Sequence, residues 1–229
     1  MPRISITFLL VILSTAAWAQ FEHPDLKSGK AVVKNVVIVP PNVKFVKSGV
    51  KSVEEMTEVS RDLENALPPM ISEALIKKHC DVNDKAFAGE ALEKDPDLKY
   101  AVADLQKRFD EVLPQLQKKP KDVRKGRFTL GEDVAKLNPG GTADALIFVR
   151  GFGQTVTGGK AFLSAMAHTP IPSGLIYYIA VVDAHRGNVL YYGVANGLGG
   201  SAWGVKTSKG AGKSLEKFFK NFPDGTAKS

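Results

Sequence analysis

The stretch VVDAHRGNVLYYGVANGLGG (181–200) begins as a β-branched run, turns on a short polar loop, and returns as a second run that fades into glycine. Whether Asp183, His185 and Arg186 form a reactive cluster or only a turn decides how the chain is read. The turn accounts for every residue. Two segments of strong β propensity, 175–183 and 189–195, flank Asp183-Ala184-His185-Arg186-Gly187-Asn188. Loops of this kind often combine a type I turn with a following residue at positive φ, normally glycine, and Gly187 stands at that place. Asp183 can accept hydrogen bonds from the turn's own backbone, which leaves His185 and Arg186 as loop-tip residues facing solvent. A hairpin at 175–195 is expected, with no chemistry in its turn.

Around this hairpin the chain divides in two. Residues 150–205 hold only four formal charges and eleven of the 21 glycines. Here ALIFVRG (145–151) reads as a strand, and GKAFLSAM (159–166) as a further one. Upstream, AVVKNVVIV (31–39) reads as a first strand, buried on both faces over VVIV and stopped by Pro40-Pro41, with a loop to follow. Ser52 and Glu55 have capping-box spacing and mark a helix start. Val59, Leu63, Leu67, Ile71 and Leu75 then recur every fourth residue, straight through Pro68-Pro69. That unbroken phase predicts one kinked helix over 53–79 rather than two helices.

Asp95-Pro96 reads as the N-cap and first residue of another helix. Its seam, Leu98, Val102, Leu105, Phe109, Val112 and Leu116, fits either a helix packed on its own domain or a surface for a partner helix. Thr129 and Glu132 begin a short third helix that ends before Asn138-Pro139-Gly140-Gly141. Lys213 to Phe222 places Leu215, Phe218, Phe219 and Phe222 on one helical face. The expected architecture is an α/β (α+β) domain over 20–229: a mixed sheet covered by a kinked helix (53–79) and a C-terminal helix (213–222), with a helical insertion at about 84–137.

The first residues, MPRISITFLLVILSTAAWAQ, read as an export signal. Arg3 supplies a positive start, Ile4 to Ala16 an apolar stretch, and Ala17-Trp18-Ala19 a small-x-small cleavage pattern. Residues 1–19 are thus expected to be removed, leaving a soluble periplasmic or extracellular chain from Gln20. The stretch is short for a spanning helix, which needs roughly 20 apolar residues. Gln20 stands where a lipid-bearing cysteine would be needed, and the lone Cys80 excludes an internal disulfide.

Several residues of the β half carry a resemblance. "VVDAHRGNVLYY", preceded by "ADALIFVRG" (143–151) and far upstream by "VVIVPP" (36–41) plus a helix, resembles the envelope α/β fold of the curli-secretion lipoprotein family and the TolB amino-terminal domain. Asp183, Gly187, Val189 and Leu190 match that hairpin, and Ala143-Asp144 the start of its central strand. Arg186 replaces the usual Thr, Tyr191 replaces Trp, and 84–127 is not covered. The resemblance implies an envelope assembly or accessory module with no catalytic residues to carry over.

Other motifs give no chemistry. Lys209-Gly-Ala-Gly-Lys-Ser214 has Thr207 where a phosphate-binding loop needs its first glycine, and reads as a glycine-softened helix start. In His79-Cys80-Asp81 the histidine is badly placed to deprotonate its neighbour, so Cys80 reads as a half-buried thiol at a helix end. His23, His79, His168 and His185 show no metal-ligand spacing. No catalytic, cofactor-binding or metal residue is assigned, and no cofactor is expected.

The net charge of +7 is concentrated in KKPKDVRKGR (118–127) and in five lysines between Lys206 and Lys220. The run 118–127 reads as a solvated loop, with weak contact to an anionic envelope surface as its sharper use. It lacks the interleaved aromatics of a base-stacking surface, and export argues against nucleic acid. The expected function is an exported, non-catalytic envelope module that binds an envelope protein or self-associates, through the 98–109 seam or the glycine-rich stretch around Trp203. An enzyme without a recognisable motif and a pore-forming envelope protein, the latter suggested by the glycine-rich 151–176 and 193–204, are the alternatives. The export reading has a direct measure. The intact mass of protein recovered from the cell envelope should correspond to a chain starting at Gln20 without lipid, and full-length chain in the cytosol would refute it.

Overall fold

The computed structural model describes residues 20–50, 52–83, 85–87, 89–138, 140–158, 174–197 and 205–226. The expected signal segment, the strand expected at 159–166, His168 and Trp203 lie outside them. In chain order the elements are β1 (Gln20–Glu22), α1 (Pro24–Lys27), β2 (Asn35–Ile38), β3 (Asn42–Ser48), β4 (Val53–Glu55), α2 (Thr57–Ile76) and β5 (Asp81–Asn83). There follow α3 (Gly89–Lys94), α4 (Pro96–Lys118), two 3-10 segments (Pro120–Lys125 and Glu132–Leu137), β6 (Ala145–Val156), β7 (Gly174–Asp183), β8 (Val189–Gly197) and α5 (Val205–Phe219).

The strands form one mixed sheet in the order β1-β8-β7-β6-β2-β5, with β3 also on β6 and β4 outside β3. The expected α/β class and the 175–195 hairpin are both present. β7, β8 and β1 run antiparallel, whereas β2 and β3 both lie parallel to β6.

β2 ends at Ile38, ahead of Pro40-Pro41 as expected, but the chain resumes on the same edge of β6 at Asn42. Ile38 pairs with Ile147 and Asn42 with Arg150, so four steps on one side oppose three on the other. This is a bulge, and one extra residue reverses which side chains face a given side. Val36 and Ile38 face the same core as Val43 and Phe45, so the inward phase switches from even to odd positions across the prolines. The expected loop is therefore strand β3, and the expected helix start at Ser52–Glu55 is strand β4. α2 begins only at Thr57.

The reason lies at β3's outer edge. Ser60 Oγ accepts from the Phe45 N–H at 3.0 Å, Glu64 Oε1 accepts from Val43 N–H at 2.8 Å, and Met56 N–H donates to the Phe45 carbonyl. The first turns of α2 thus satisfy an edge that would otherwise stand open. α2 then runs unbroken through Pro68 and Pro69 to Ile76, as its phase predicts. Leu63, Leu67, Ile71 and Leu75 face the sheet while Pro69 is exposed, so the missing backbone donors fall away from the core.

Two layers cover the sheet. On one face α2 packs beside α5, whose Leu215 and Phe218, with the following Phe219 and Phe222, are buried as expected. Tyr191 and these phenylalanines meet edge to face, at centroid separations of 4.8–5.8 Å. α5 starts earlier than the expected 213, so Lys209–Ser214 is helical.

The other face belongs to α4. Asp95 caps it as predicted, accepting from the Leu98 N–H at 2.9 Å. Val102, Leu105, Phe109, Leu113 and Leu116 bury against Leu146, Phe148, Ala180, Val182 and Tyr192. The 98–116 seam is therefore core and no partner-helix surface: Phe109 is 1% exposed and stacks on Phe148 at 5.5 Å. The 84–137 segment supplies an entire layer of the domain. Its expected third helix is the 3-10 segment Glu132–Leu137.

Two glycines of β6 make room for the side chains of the neighbouring strands β3 and β7. A Cβ on Gly153 would overlap the Phe45 ring, and one on Gly151 would meet Val43 at 2.8 Å and Tyr177 at 3.1 Å. The fold predicts that Gly153→Ala destabilises by about 1–3 kcal/mol. Gly212→Ala, in open space on a helix, should be neutral or stabilising by a few tenths. Denaturant titration of both variants is the measurement.

Candidate functional site

The 183–188 loop is a turn, and its geometry explains each residue. Asp183 Oδ1 accepts from the His185 and Arg186 N–H groups at 2.8 and 2.9 Å, and Gly187 N–H donates to the Asp183 carbonyl at 3.0 Å. Gly187 has φ +74°. His185 and Arg186 are exposed. The loop is also clamped from outside: Leu130 N–H donates to the Gly187 carbonyl, and Val189 N–H to the Phe128 carbonyl. A Cβ at Gly187 would strike the backbone of Gly131.

The remaining polar groups singled out by sequence are similarly occupied. Asp144 Oδ2 accepts from the Lys34 and Asn35 N–H groups at 3.0 and 2.7 Å, and its carbonyl accepts from Ala184 N–H. It ties the starts of β2 and β6 to the hairpin. Cys80 is buried rather than half-buried, with its thiol 3.5 Å from the Val33 carbonyl. Burial pushes that thiol up to about 11, with the charges of Asp224 and Asp81 adding to the effect, so it is a poor nucleophile at neutral pH. His23 Nδ1 caps α1 by accepting from Asp25 N–H, and His79 stands at positive φ after α2. Among the described residues no three His, Cys, Asp or Glu side chains come close enough to hold a metal ion.

The basic run 118–127 is not a free loop. It ends α4 and continues as a 3-10 turn with Val123 buried. Lys125 and Arg127 both pair with Asp122, and Arg124 lies 5.3 Å over the Phe21 ring. A hydrogen bond from Lys125, with the charges of Lys125, Arg127 and Lys119, holds the Asp122 carboxyl below its ordinary value. Much of the run's charge is thus engaged within the domain.

An exposed apolar pair remains on the sheet. α4 stops covering its face of the sheet at Arg150, whose guanidinium reaches Asp110 at 2.6 Å and the Gln106 carbonyl at 3.4 Å. One row further out, Lys44, Phe152, Ile176 and Asn196 stand side by side on four adjacent strands. Phe152 is 47% and Ile176 38% exposed, cross-strand neighbours on the face that α4 covers elsewhere. No family model, curated protein or solved structure matches this chain. Its chemistry and surfaces must speak for themselves.

Sequence reading missed this row because Phe152 and Ile176 continue the period-two pattern of the buried strands. Only the length of α4 separates exposed from buried. Among the described residues no helix is long and apolar enough to cross a membrane. The turn carries a test of its structural role. Gly187→Val should destabilise by about 2 kcal/mol or more, from strain at positive φ and the clash with Gly131. His185→Ala and Arg186→Ala should each stay within about 0.5 kcal/mol of the parent. Chemical denaturation separates the two outcomes, and a neutral Gly187→Val would contradict the turn geometry.

Proposed function

We propose that this protein is an exported, non-catalytic envelope module that acts through protein–protein contact, either with an envelope protein or with a second copy of itself. One observation carries the reading: the Phe152–Ile176 pair stands exposed on an otherwise covered sheet face. Adjacent large apolar side chains on a rigid strand platform supply the kind of anchor that interface centres use. The signal-like segment 1–19 supports export, and the resemblance of 143–151 and 181–192 to the curli-secretion lipoprotein and TolB amino-terminal folds supports an accessory role in the envelope. The engaged state of Asp144, Asp183 and Cys80 supports a non-catalytic role, since each already serves the fold.

Crosslinking in the intact envelope, followed by mass spectrometry, provides the test. The protein should give a discrete higher-mass species that Phe152→Ser combined with Ile176→Ser removes, with the melting transition of the purified variant unchanged within about 3 °C. Phe109→Ser, in contrast, should unfold the domain, because that ring is core. A species that survives the double substitution, or a chain that stays monomeric and captures nothing, would overturn the proposal.

A further inference from the structure

A second surface lies on the opposite face of the molecule, in the groove between α2 and α5. It encloses about 660 Å³ and is lined by Ala74 and Phe219 below and by Lys77, Lys78, Lys213, Lys217 and Lys220 around the rim, with Glu216 the single acid among them. Local sequence places half of this array. Lys213, Lys217 and Lys220 are spaced by four and three, which puts them along one side of α5 while Leu215, Phe218 and Phe219 point inward. Tertiary packing supplies the rest, because α2 ends at Ile76 directly beside α5 and brings Lys77 and Lys78 to the same rim.

The nearby acids do not neutralise the rim. Glu216 and Glu73 both bridge to Lys77. Lys78, Lys213 and Lys220 have no carboxylate within ion-pair distance among the described residues. Three uncommitted ammonium groups around a groove floored by Ala74 and Phe219 match the phosphate of an anionic headgroup. Lysine binds phosphate as a mobile point charge, and a basic rim beside apolar surface is how peripheral proteins rest on anionic bilayers.

We infer that the α2–α5 groove is a docking site for the phosphate headgroup of an anionic phospholipid, holding the protein reversibly on a membrane surface. This assigns lipid contact to α2 and α5 rather than to 118–127, where Asp122 and Phe21 engage Lys125, Arg127 and Arg124. It is independent of the Phe152–Ile176 contact, which lies on the other face of the sheet.

Flotation of the purified protein with vesicles of phosphatidylcholine alone, or with about one third phosphatidylglycerol, tests it at low and moderate salt. Binding should require phosphatidylglycerol and weaken as salt rises. The triple substitution Lys78→Ala, Lys213→Ala, Lys220→Ala should weaken it on the order of 100-fold, at the usual contribution of a lysine near a charged bilayer. The matched control Lys118→Ala, Lys119→Ala, Lys121→Ala removes the same charge from the other basic run and should change binding less than threefold. Should the triple variant not fold by circular dichroism, the exposed pair Lys213→Ala with Lys220→Ala carries the test, with a loss of more than about tenfold. Equal losses in groove and control variants would overturn the site, as would equal binding to both vesicle types. Binding of sn-glycerol 1-phosphate with perturbation of the groove lysines, but no vesicle flotation, would overturn the lipid assignment. None of these readouts depends on crosslinking through Phe152 and Ile176, so the two proposals fail separately.

Discussion

One edge of β6 constrains everything around it. Twelve residues of central strand must find backbone partners on both sides, and buried donors left unpaired are costly. β7 covers one side from Ala145 to Gln154. On the other side two strands share the task, β2 against Ala145–Ile147 and β3 against Arg150–Val156, joined by a bulge at Val39-Pro40-Pro41. Proline fits there because a bulge already leaves a residue out of the ladder. The bulge returns Val43 and Phe45 to the face that Val36 and Ile38 occupy, and Gly151 and Gly153 let them approach. α2 then closes β3 with Ser60 and Glu64. Without that offset Phe45 would face the other side, and α2 would have no edge to seal.

Helical layers of unequal reach turn this sheet into two different surfaces. α4 is long, but it crosses only the half of its face up to Arg150, so an apolar pair, Phe152 and Ile176, remains beyond it. On the other face two helices lie side by side and leave a seam, whose rim is basic because both bring their lysines to it. The residue types usually associated with catalysis are used for construction instead. Asp144 joins two strand starts and a hairpin, Asp183 organises a turn, and the Cys80 thiol fills part of the core.

The elements that sequence made legible are those whose signal is local. Asp183 and Gly187 define their turn without help from the rest of the chain. Asp95-Pro96 and the periodic Val102, Leu105 and Phe109 define α4, and the unbroken phase across Pro68-Pro69 defines α2. β3 was hidden because its alternation restarts out of step after the bulge and is interrupted by the adjacent buried pair Phe45-Val46. Ser52 and Glu55 imitate a capping box, yet α2 is positioned by Ser60 and Glu64, whose partners are backbone groups of a strand and invisible to local spacing. Whether the 98–116 seam is core or interface depends on what lies opposite, which periodicity does not encode. The same holds for both proposed surfaces: the spacing of Lys213, Lys217 and Lys220 is readable, but the arrival of Lys77 and Lys78 beside them is not.

The first strand has a consequence for how the chain is made. β1 pairs only with β8 among the described strands, and Gln20 donates its side-chain amide to the Phe218 carbonyl, 198 positions away. Asn221 completes the clasp by donating to the Gln20 amide oxygen. A ribosome delivers Gln20 well before Phe218 and Asn221. β1 therefore waits until β8 has been made, and its side-chain clasp forms only when α5 and Asn221 follow. Long-range closure of this type is slow compared with local pairing. β1 and α5 are secured together, which makes delivery of the chain as far as Asn221 a condition for β1 to hold.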